Sequence, residues 1–354
     1  MIEPIKCLIW DLDNTLWKGT LLEKDSCRLR HGIKSILKEL DNRGILLSIA
    51  SANDKDLAEL FLKKKRVYHY FLYPQISWIN KVSSIQAIAS KLNIALNSLG
   101  FIDDEPYELE QVRQILPSVR IYHARDYKGL LTKPELTPHF KTKESKHRRI
   151  MYIQESKRAQ EQKQFQKSHK EFLISCNTQI TIRQADKADL PRILELMHRT
   201  HQLNATGKIY DADQVESFLL DQKYRIYVVE LRDKFMEYGK IGVAICRCYS
   251  NRWELLSFLL SCRVLTRGIG NFFLSWLQFK AFKEGASKFE GHFMKRDRNN
   301  RMHLLYTLSG FEPIKTKNDD YTIFSKECNK GLKIPEWLSL NEGIRNEILT
   351  SASH

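Results

Sequence analysis

Carboxylates, hydroxyls and one lysine recur where apolar runs end. Asp11 and Asp13 directly follow the run at 5–10 (IKCLIW), with Thr15 two residues on. Ser51 follows the run at 45–50 (ILLSIA), Lys81 opens a helical stretch, and Asp103 and Asp104 follow 99–102 (LGFI). In an open α/β sheet, ligands gather outside the carboxyl ends of strands, so three strand ends would bring these groups to one edge. Four carboxylates crowded there repel each other, which makes a hard cation their natural companion. Oxygen-only ligands favour Mg2+ over zinc. Lys81 can neutralise a phosphate. An attacking oxygen, a metal, a hydroxyl and a cation suit phosphoryl transfer. Asp11 is read as a nucleophile that forms an aspartyl-phosphate. Asp13 protonates the leaving oxygen and then activates water.

The elements that must position these groups follow from periodicity. Residues 5–10, 45–50, 71–72, 99–102 and 119–122 read as buried strands. Helical patterns at 31–43, 54–64, 81–92 and 106–114 separate them. Continuous apolar strands alternating with amphipathic helices predict a parallel sheet in an α/β fold. Only 35 residues separate Thr15 from Ser51 and 29 separate Ser51 from Lys81, which leaves no room for a large cap domain. An uncapped cleft admits a bulky substrate, such as one carried on a protein. Further on, strands are expected at 178–183, 224–231, 239–248 and 253–260, with helices at 189–199 and 271–284. That mixture predicts a second, α+β domain. The expected organisation is a phosphoryl-transfer domain at 1–140, a basic helical linker at 141–175, the second domain at 176–330 and a tail at 331–354.

Net charge is +15, and residues 141–170 carry ten Lys/Arg against three Asp/Glu, about half of that excess. Such a surface attracts acidic partners. No stacking-aromatic or base-reading motif accompanies the basic run, which argues against nucleic acid. The chain has no 18-residue apolar run and no charged-then-apolar leader, so neither a membrane span nor a signal peptide is expected. Its seven cysteines are scattered and include no C-x-x-C pair, as in a reducing cytoplasm.

The run at 253–260 leads into Ser261, Cys262, Arg263 and then Arg267, Gly268 and Gly270 at a helix start. Glycines there offer backbone N–H groups to a phosphate. Cys262 beside Arg263 would have thiolate character. By residue type alone, nucleophile and buried structural cysteine both stand. His198, His201 and His292 could assist it.

D-x-D-x-T, then S, K and DD after apolar strands, resembles the four-motif signature of the haloacid dehalogenase (HAD) superfamily. The resemblance implies a Rossmann-like parallel sheet, Asp103 helped by Asp104 as metal carboxylates beside Asp11 and Asp13, and Ser51 and Lys81 on the phosphate. Thr15 and Asn53 join that phosphate-binding set. The R-G-x-G turn partly resembles the pyrophosphate loop of GNAT acyltransferases. Taken together, D-L-D-N-T-L-W, S-x-N-D, F-I-D-D-x-P-x-E-x-x-Q-V-R, Q-L-N-A-T and F-L-L-S-C-R-V-L-x-R-G resemble the FkbH-like family from Lys6 to about Phe311. That family joins a HAD domain to a GNAT-like domain. It loads a three-carbon acid from a phosphorylated glycolytic intermediate, usually 1,3-bisphosphoglycerate, onto an acyl carrier protein in polyketide-type biosynthesis. The resemblance makes Cys262 the acyl acceptor. Gln202, Asn204, Arg263, Arg267, Gly268 and Gly270 become candidate substrate and phosphate contacts. Two departures stand out. Trp17-Lys18-Gly19 replaces the family's W-G-G, and residues 291–296 (GHFMKR) replace a P-T-x-K-N type segment. The second leaves the acyl group open between glyceryl, lactyl and other three-carbon acids.

Overall fold

The computed structural model describes residues 4–23, 27–261, 264, 267–314, 320–341 and 345, in two compact units that divide between Ser156 and Lys157. The first unit begins with β1 (Cys7–Trp10), a short hairpin of β2 (Trp17–Lys18) and β3 (Arg28–Leu29), and α1 (Ile33–Asn42). It continues with β4 (Leu46–Ser51), α2 (Lys55–Lys64), β5 (Gln75–Ile76), α3 (Lys81–Leu92), β6 (Leu99–Asp103), α4 (Pro106–Ile115) and β7 (Arg120–His123). Five strands form one parallel sheet in the order β5-β4-β1-β6-β7. The chain builds outward from β1 to one side and then to the other. The crevice at the carboxyl ends of β4, β1 and β6 is therefore the place where the strand order reverses.

Alternation along the strands explains the two helical layers. Leu8 and Trp10 pack into one apolar cluster with Ile33, Leu37 and Leu40 of α1. Cys7 and Ile9 point the other way, into a cluster with Ile85 and Ile88 of α3 and Val112 of α4. A strand buried on both faces favours apolar residues or hydrogen-bonded polar ones, which is why β1 reads as an unbroken apolar run and the interior of β4 departs from one only at Ser48, whose buried hydroxyl donates to the Leu72 carbonyl at 2.7 Å. The strand expected at 71–72 is a single bridge from Phe71 to Leu47, and the paired strand β5 comes later. Tyr73 has a left-handed φ of 50° and is followed by Pro74, which has no N–H to pair, so the ladder breaks there.

The expected linker at 141–175 is built into the fold. It forms α5 (Lys143–Lys146), α6 (Arg148–Gln164) and α7 (His169–Ser175), and the division between the units falls inside α6. Met151, Arg158, Phe172 and Leu173 are buried, and Arg149 donates to Asp41 at 2.9 and 3.1 Å. The basic run is thus partly spent on packing and ion pairs.

The second unit carries β8 (Thr178–Gln184), α8 (Leu190–Arg199), α9 (Ala212–Leu220), β9 (Tyr224–Arg232), β10 (Glu237–Cys248) and β11 (Arg252–Leu260). It then carries α10 (Ile269–Lys283), β12 (Lys288–Met294), α11 (Asn300–Leu308), β13 (Glu312–Ile314), β14 (Tyr321–Glu327) and β15 (Leu338–Leu340). Its eight strands lie in the order β13-β14-β12-β11-β10-β9-β8-β15. The pairs β11–β12 and β8–β15 are parallel and the others antiparallel. The expected tail at 331–354 contributes β15 to this sheet, and its Trp337 packs over Gly268.

Parallel pairing of β11 with β12 ends at Leu255 and Gly291, although both strands run on. The Q-L-N-A-T segment fills the gap. Ala205 N–H donates to the Phe258 carbonyl (2.9 Å), Leu260 N–H to Leu203 (2.8 Å) and Met294 N–H to Ala205 (3.0 Å). The segment acts as a short wedge between two diverging strands and satisfies backbone groups the divergence would orphan. No helix among the described residues is long and apolar enough to cross a membrane.

Candidate active site

Asp11 begins where β1 ends, its N–H bonded to the Ile102 carbonyl at 3.0 Å. The chain then turns sharply. The N–H groups of Thr15, Leu16 and Trp17 all point at the Leu12 carbonyl, and Asn14 takes a left-handed φ of 48°. Asparagine tolerates that conformation, and here its side chain also accepts from the Gly19 N–H at 3.0 Å. Arg30 donates to the Asn14 carbonyl and fastens the turn to β3.

Asp11, Lys81 and Asp103 form a buried triad. Lys81 Nζ contacts Asp11 Oδ1, lies 3.1 Å from Asp103 Oδ2 and donates to the Ala50 carbonyl at 3.0 Å. Burial pulls the Lys81 ammonium down, but the two carboxylates outweigh it and hold its pKa raised. Burial and the neighbouring Asp11 charge push Asp103 up, while Lys81 and the Glu105 N–H (2.9 Å) oppose them. One ammonium between two buried carboxylates leaves excess negative charge. Asp103 Oδ2 accepts no aligned hydrogen bond, although the Lys81 ammonium is within ion-pair reach.

That charge excess is the test of whether a divalent cation fits. Carboxylate oxygens of Asp11, Asp103 and Asp104 lie within 4.8 Å of one another. They are hard ligands converging on one point, and Asp103 Oδ2 has coordination capacity to spare. The residues fit Mg2+.

The expectation of four metal carboxylates meets three here. The Asp13 side chain is outside the group because other donors hold both its oxygens. Oδ1 accepts from Trp17 Nε1 (2.8 Å) and the Leu21 N–H (3.1 Å), and Oδ2 accepts from Asn53 Nδ2 (2.8 Å). Burial nevertheless raises the Asp13 pKa, with Asp11 adding to it, and these hydrogen bonds only partly compensate. A carboxyl with a raised pKa is suited to hold and give a proton.

The expected phosphate ligands divide in two. Ser51 is buried at the end of β4, and among the described residues its hydroxyl has no hydrogen-bond partner. Lys81 is in place beside Asp11. Thr15 and Asn53 serve carboxylates instead. Thr15 Oγ1 donates to Asp104 Oδ1 at 3.1 Å, and the Asn53 amide spans Asp13 and the Asp54 N–H (2.9 Å). Trp17 and the Leu21 N–H were not singled out from sequence as holding Asp13. The tryptophan four residues after Asp13 was the available signal.

In the second unit, Cys262 and Arg263 lie outside the described residues. Gln202 is half-buried at the head of the wedge segment. Asn204 is buried and its Oδ1 caps the Gly207 N–H at 2.8 Å, so its amide builds a turn rather than facing a substrate. Arg267 is corrected more sharply. It is 1% exposed, bonded to the buried Asp233 at 2.9 Å and to Tyr238 Oη at 2.8 Å, and stacked on the Tyr238 ring. A guanidinium fixed in this way is structural. Gly268 caps α10 with φ +67°, facing Trp337. A Cβ at Gly270 would come within 2.9 Å of Leu260 Cδ1, so that glycine is explained by close packing.

No family profile and no curated protein sequence matches this chain. Among solved structures, the chain is similar to the N-terminal part of a Bacteroides fragilis protein that contains a phosphatase domain complexed with Mg. Identity is 28% and the TM-score 0.34, over 38% of this chain and 41% of that one, so the match spans less than half of its length. It is also similar to a ribosomal-protein alanine N-acetyltransferase from Escherichia coli, with 18% identity and a TM-score of 0.35, over 42% of this chain and 94% of that one. The GNAT domain of an S. lividans protein gives 13% identity and a TM-score of 0.35, over 41% and 89%.

Proposed function

We propose that this chain is a cytoplasmic, bifunctional phosphatase and acyltransferase of the FkbH-like type. It would take a phosphorylated three-carbon acid such as 1,3-bisphosphoglycerate, form a Cys262 thioester by displacing the acyl phosphate as inorganic phosphate, hydrolyse the remaining phosphate ester at Asp11, and pass the acyl group to the phosphopantetheine thiol of an acyl carrier protein, with Cys262 leaving as the thiol. The observation that carries the phosphoryl half is the contrast between Asp11, set against the Lys81 ammonium, and Asp13, clamped by Trp17 and Asn53. Asp11 attacks phosphorus. Asp13 protonates the departing oxygen and then takes a proton from water to free the phosphate. Lys81 swings its charge from the carboxylates to the phosphoryl oxygens, and Ser51 donates to one of them. Mg2+, held by Asp11, Asp103 and Asp104, would supply charge neutralisation for the phosphoryl group. The acyl half rests on the motif resemblance and on a second unit with its own mixed sheet. The basic net charge suits an acidic carrier protein.

A second reading is a Mg2+-dependent phosphatase whose second unit does no chemistry. The structural roles of Arg267 and Asn204 favour it, since two expected substrate contacts are spent within the fold.

Intact masses separate the two. The protein is incubated with Mg2+, 1,3-bisphosphoglycerate and a phosphopantetheinylated carrier protein. A glyceryl adduct on the enzyme, absent in Cys262→Ala and later found on the carrier, supports transfer. Phosphate release with neither protein modified, and unchanged in Cys262→Ala, supports the phosphatase alone.

A further inference from the structure

The second unit carries a hollow of about 400 Å³ over the start of β8, the end of β9 and the start of β10. That volume is within the range of small-molecule sites, roughly 300–1,000 Å³. Alternation builds the hollow. Ile180 and Ile182 of β8 turn into the apolar core, as do Val229 and Leu231 of β9. Their neighbours along each strand must then stand on the opposite face. Register sets those neighbours side by side. Gln179 pairs with Arg232 and Thr181 with Glu230 across β8 and β9, and Arg232 pairs with Glu237 across β9 and β10. All five line the hollow. Asn341, which follows β15 and sends its N–H to the Ile180 carbonyl at 3.3 Å, completes the wall at the sheet edge.

Most charges on this face are matched within the fold. Glu230 lies 3.3 Å from Arg183 and 4.0 Å from Lys240. Arg183 and Lys240 also reach the buried Asp189, at 2.7 and 3.2 Å. Arg232 and Glu237 are different. Opposite charges that face each other across strands ordinarily pair. Here Arg232 Nε donates to Gln179 Oε1 at 2.6 Å, which draws the guanidinium toward β8 and away from β10. Among the described residues Arg232 and Glu237 form no ion pair with each other or with any other group, and the terminal NH2 groups of Arg232 take no partner.

The hollow therefore holds one uncommitted cation and one uncommitted anion on neighbouring strands of a fixed sheet. A ligand with only negative charge would be repelled by Glu237, and one with only positive charge by Arg232. A molecule that carries both satisfies both. A guanidinium fork matches a carboxylate, and a carboxylate takes the N–H groups of an ammonium. The aliphatic side chains of these strands face the core, so the walls are polar, with the Thr181 hydroxyl and the Gln179 amide available for further hydrogen bonds.

We propose that this hollow binds a free α-amino acid with a polar side chain, its carboxylate on Arg232 and its ammonium on Glu237. The inference uses the second unit alone and holds whether or not the chain transfers phosphate or acyl groups. Gln179 is the positioning residue, since its amide oxygen holds the guanidinium clear of Glu237.

The test is titration calorimetry of the full-length protein with L-glutamine, L-glutaminamide, which lacks the carboxylate, and N-acetyl-L-glutamine, which lacks the ammonium. L-Glutamine should bind saturably, and each analogue several-fold more weakly. Arg232 and Glu237 are both exposed, so changing either leaves the core intact. Arg232→Gln should erase the preference for L-glutamine over its amide, and Glu237→Gln the preference over the N-acetyl compound. No saturable binding of L-glutamine, equal binding of all three compounds, or selectivity that survives both substitutions overturns the proposal.

Discussion

Asn53 Nδ2 lies 2.8 Å from Asp13 Oδ2, joining residues forty positions apart, and the Asn53 oxygen is held in turn by the Asp54 N–H. The amide is thereby fixed so that only its NH2 can face Asp13. Asn53→Ala should leave the fold intact but free one oxygen of the acid. In the proposed mechanism the lost contact orients a proton donor rather than binding substrate, so kcat for phosphate release should fall roughly tenfold to a hundredfold with KM little changed. A rise in KM at constant kcat would instead place Asn53 on the phosphate.

The crowding of Asp11 and Asp103 predicts how metal and stability are linked. Mg2+ should raise the unfolding temperature of the first unit, by about 2.7 kcal/mol of stabilisation at a hundred times Kd. Asp103→Asn removes a charge that burial and the Asp11 carboxylate disfavour, while leaving Lys81 paired with Asp11. That variant should unfold no earlier than the parent without metal, yet lose most of the Mg2+ increment. Differential scanning calorimetry with and without chelator reads both. An undiminished increment would remove Asp103 from the metal site.

The groups at the strand ends were legible because strands buried on both faces are nearly continuous apolar runs. Asp11, directly after β1, and Ser51, the last residue of β4, then mark the edge of the sheet. Other assignments depended on partners far away in sequence. Arg267 looked like a phosphate ligand because it precedes two glycines at a helix start, whereas Asp233 and Tyr238, which capture it, lie on or beside β10. Nothing local to Arg267 announces them. Asn204 likewise carries no sign that it caps a turn inside a strand wedge. The pattern at 288–294 alternates in burial, as a strand with one apolar face should, and was readable by period but weakened by Gly291 and His292.

Arg267 and Asp233, whose side chains are 1% and 0% exposed, give the clearest test of a structural against a ligand role. Truncating one member of a buried pair strands the other charge, which typically costs about 3–5 kcal/mol. Arg267→Ala should lower the stability of the second unit by that order in chemical denaturation, with or without substrate. A variant of parental stability that had lost only phosphate affinity would restore Arg267 to the substrate site.

His292 makes a prediction with a definite sign. In the unfolded chain its imidazole titrates near the usual value of about 6.5. In the folded protein burial holds it lower. The charged and titratable groups that face it are Glu254 from β11, which opposes the shift, Arg247 from β10 and Lys208 from the loop, which add to it, and Tyr321 from β14, which bonds it. From α11, Tyr306 meets only its backbone carbonyl. Between the folded and unfolded values the unfolded chain binds more protons, so this residue's contribution to stability rises with pH through that window and is lost as pH falls below it. NMR titration should place the His292 midpoint below the ordinary imidazole value of about 6.5. Glu254→Gln should lower the midpoint further, and Lys208→Met should raise it. A midpoint at or above the ordinary value, or one that ignores both substitutions, would show that these groups do not enclose this ring.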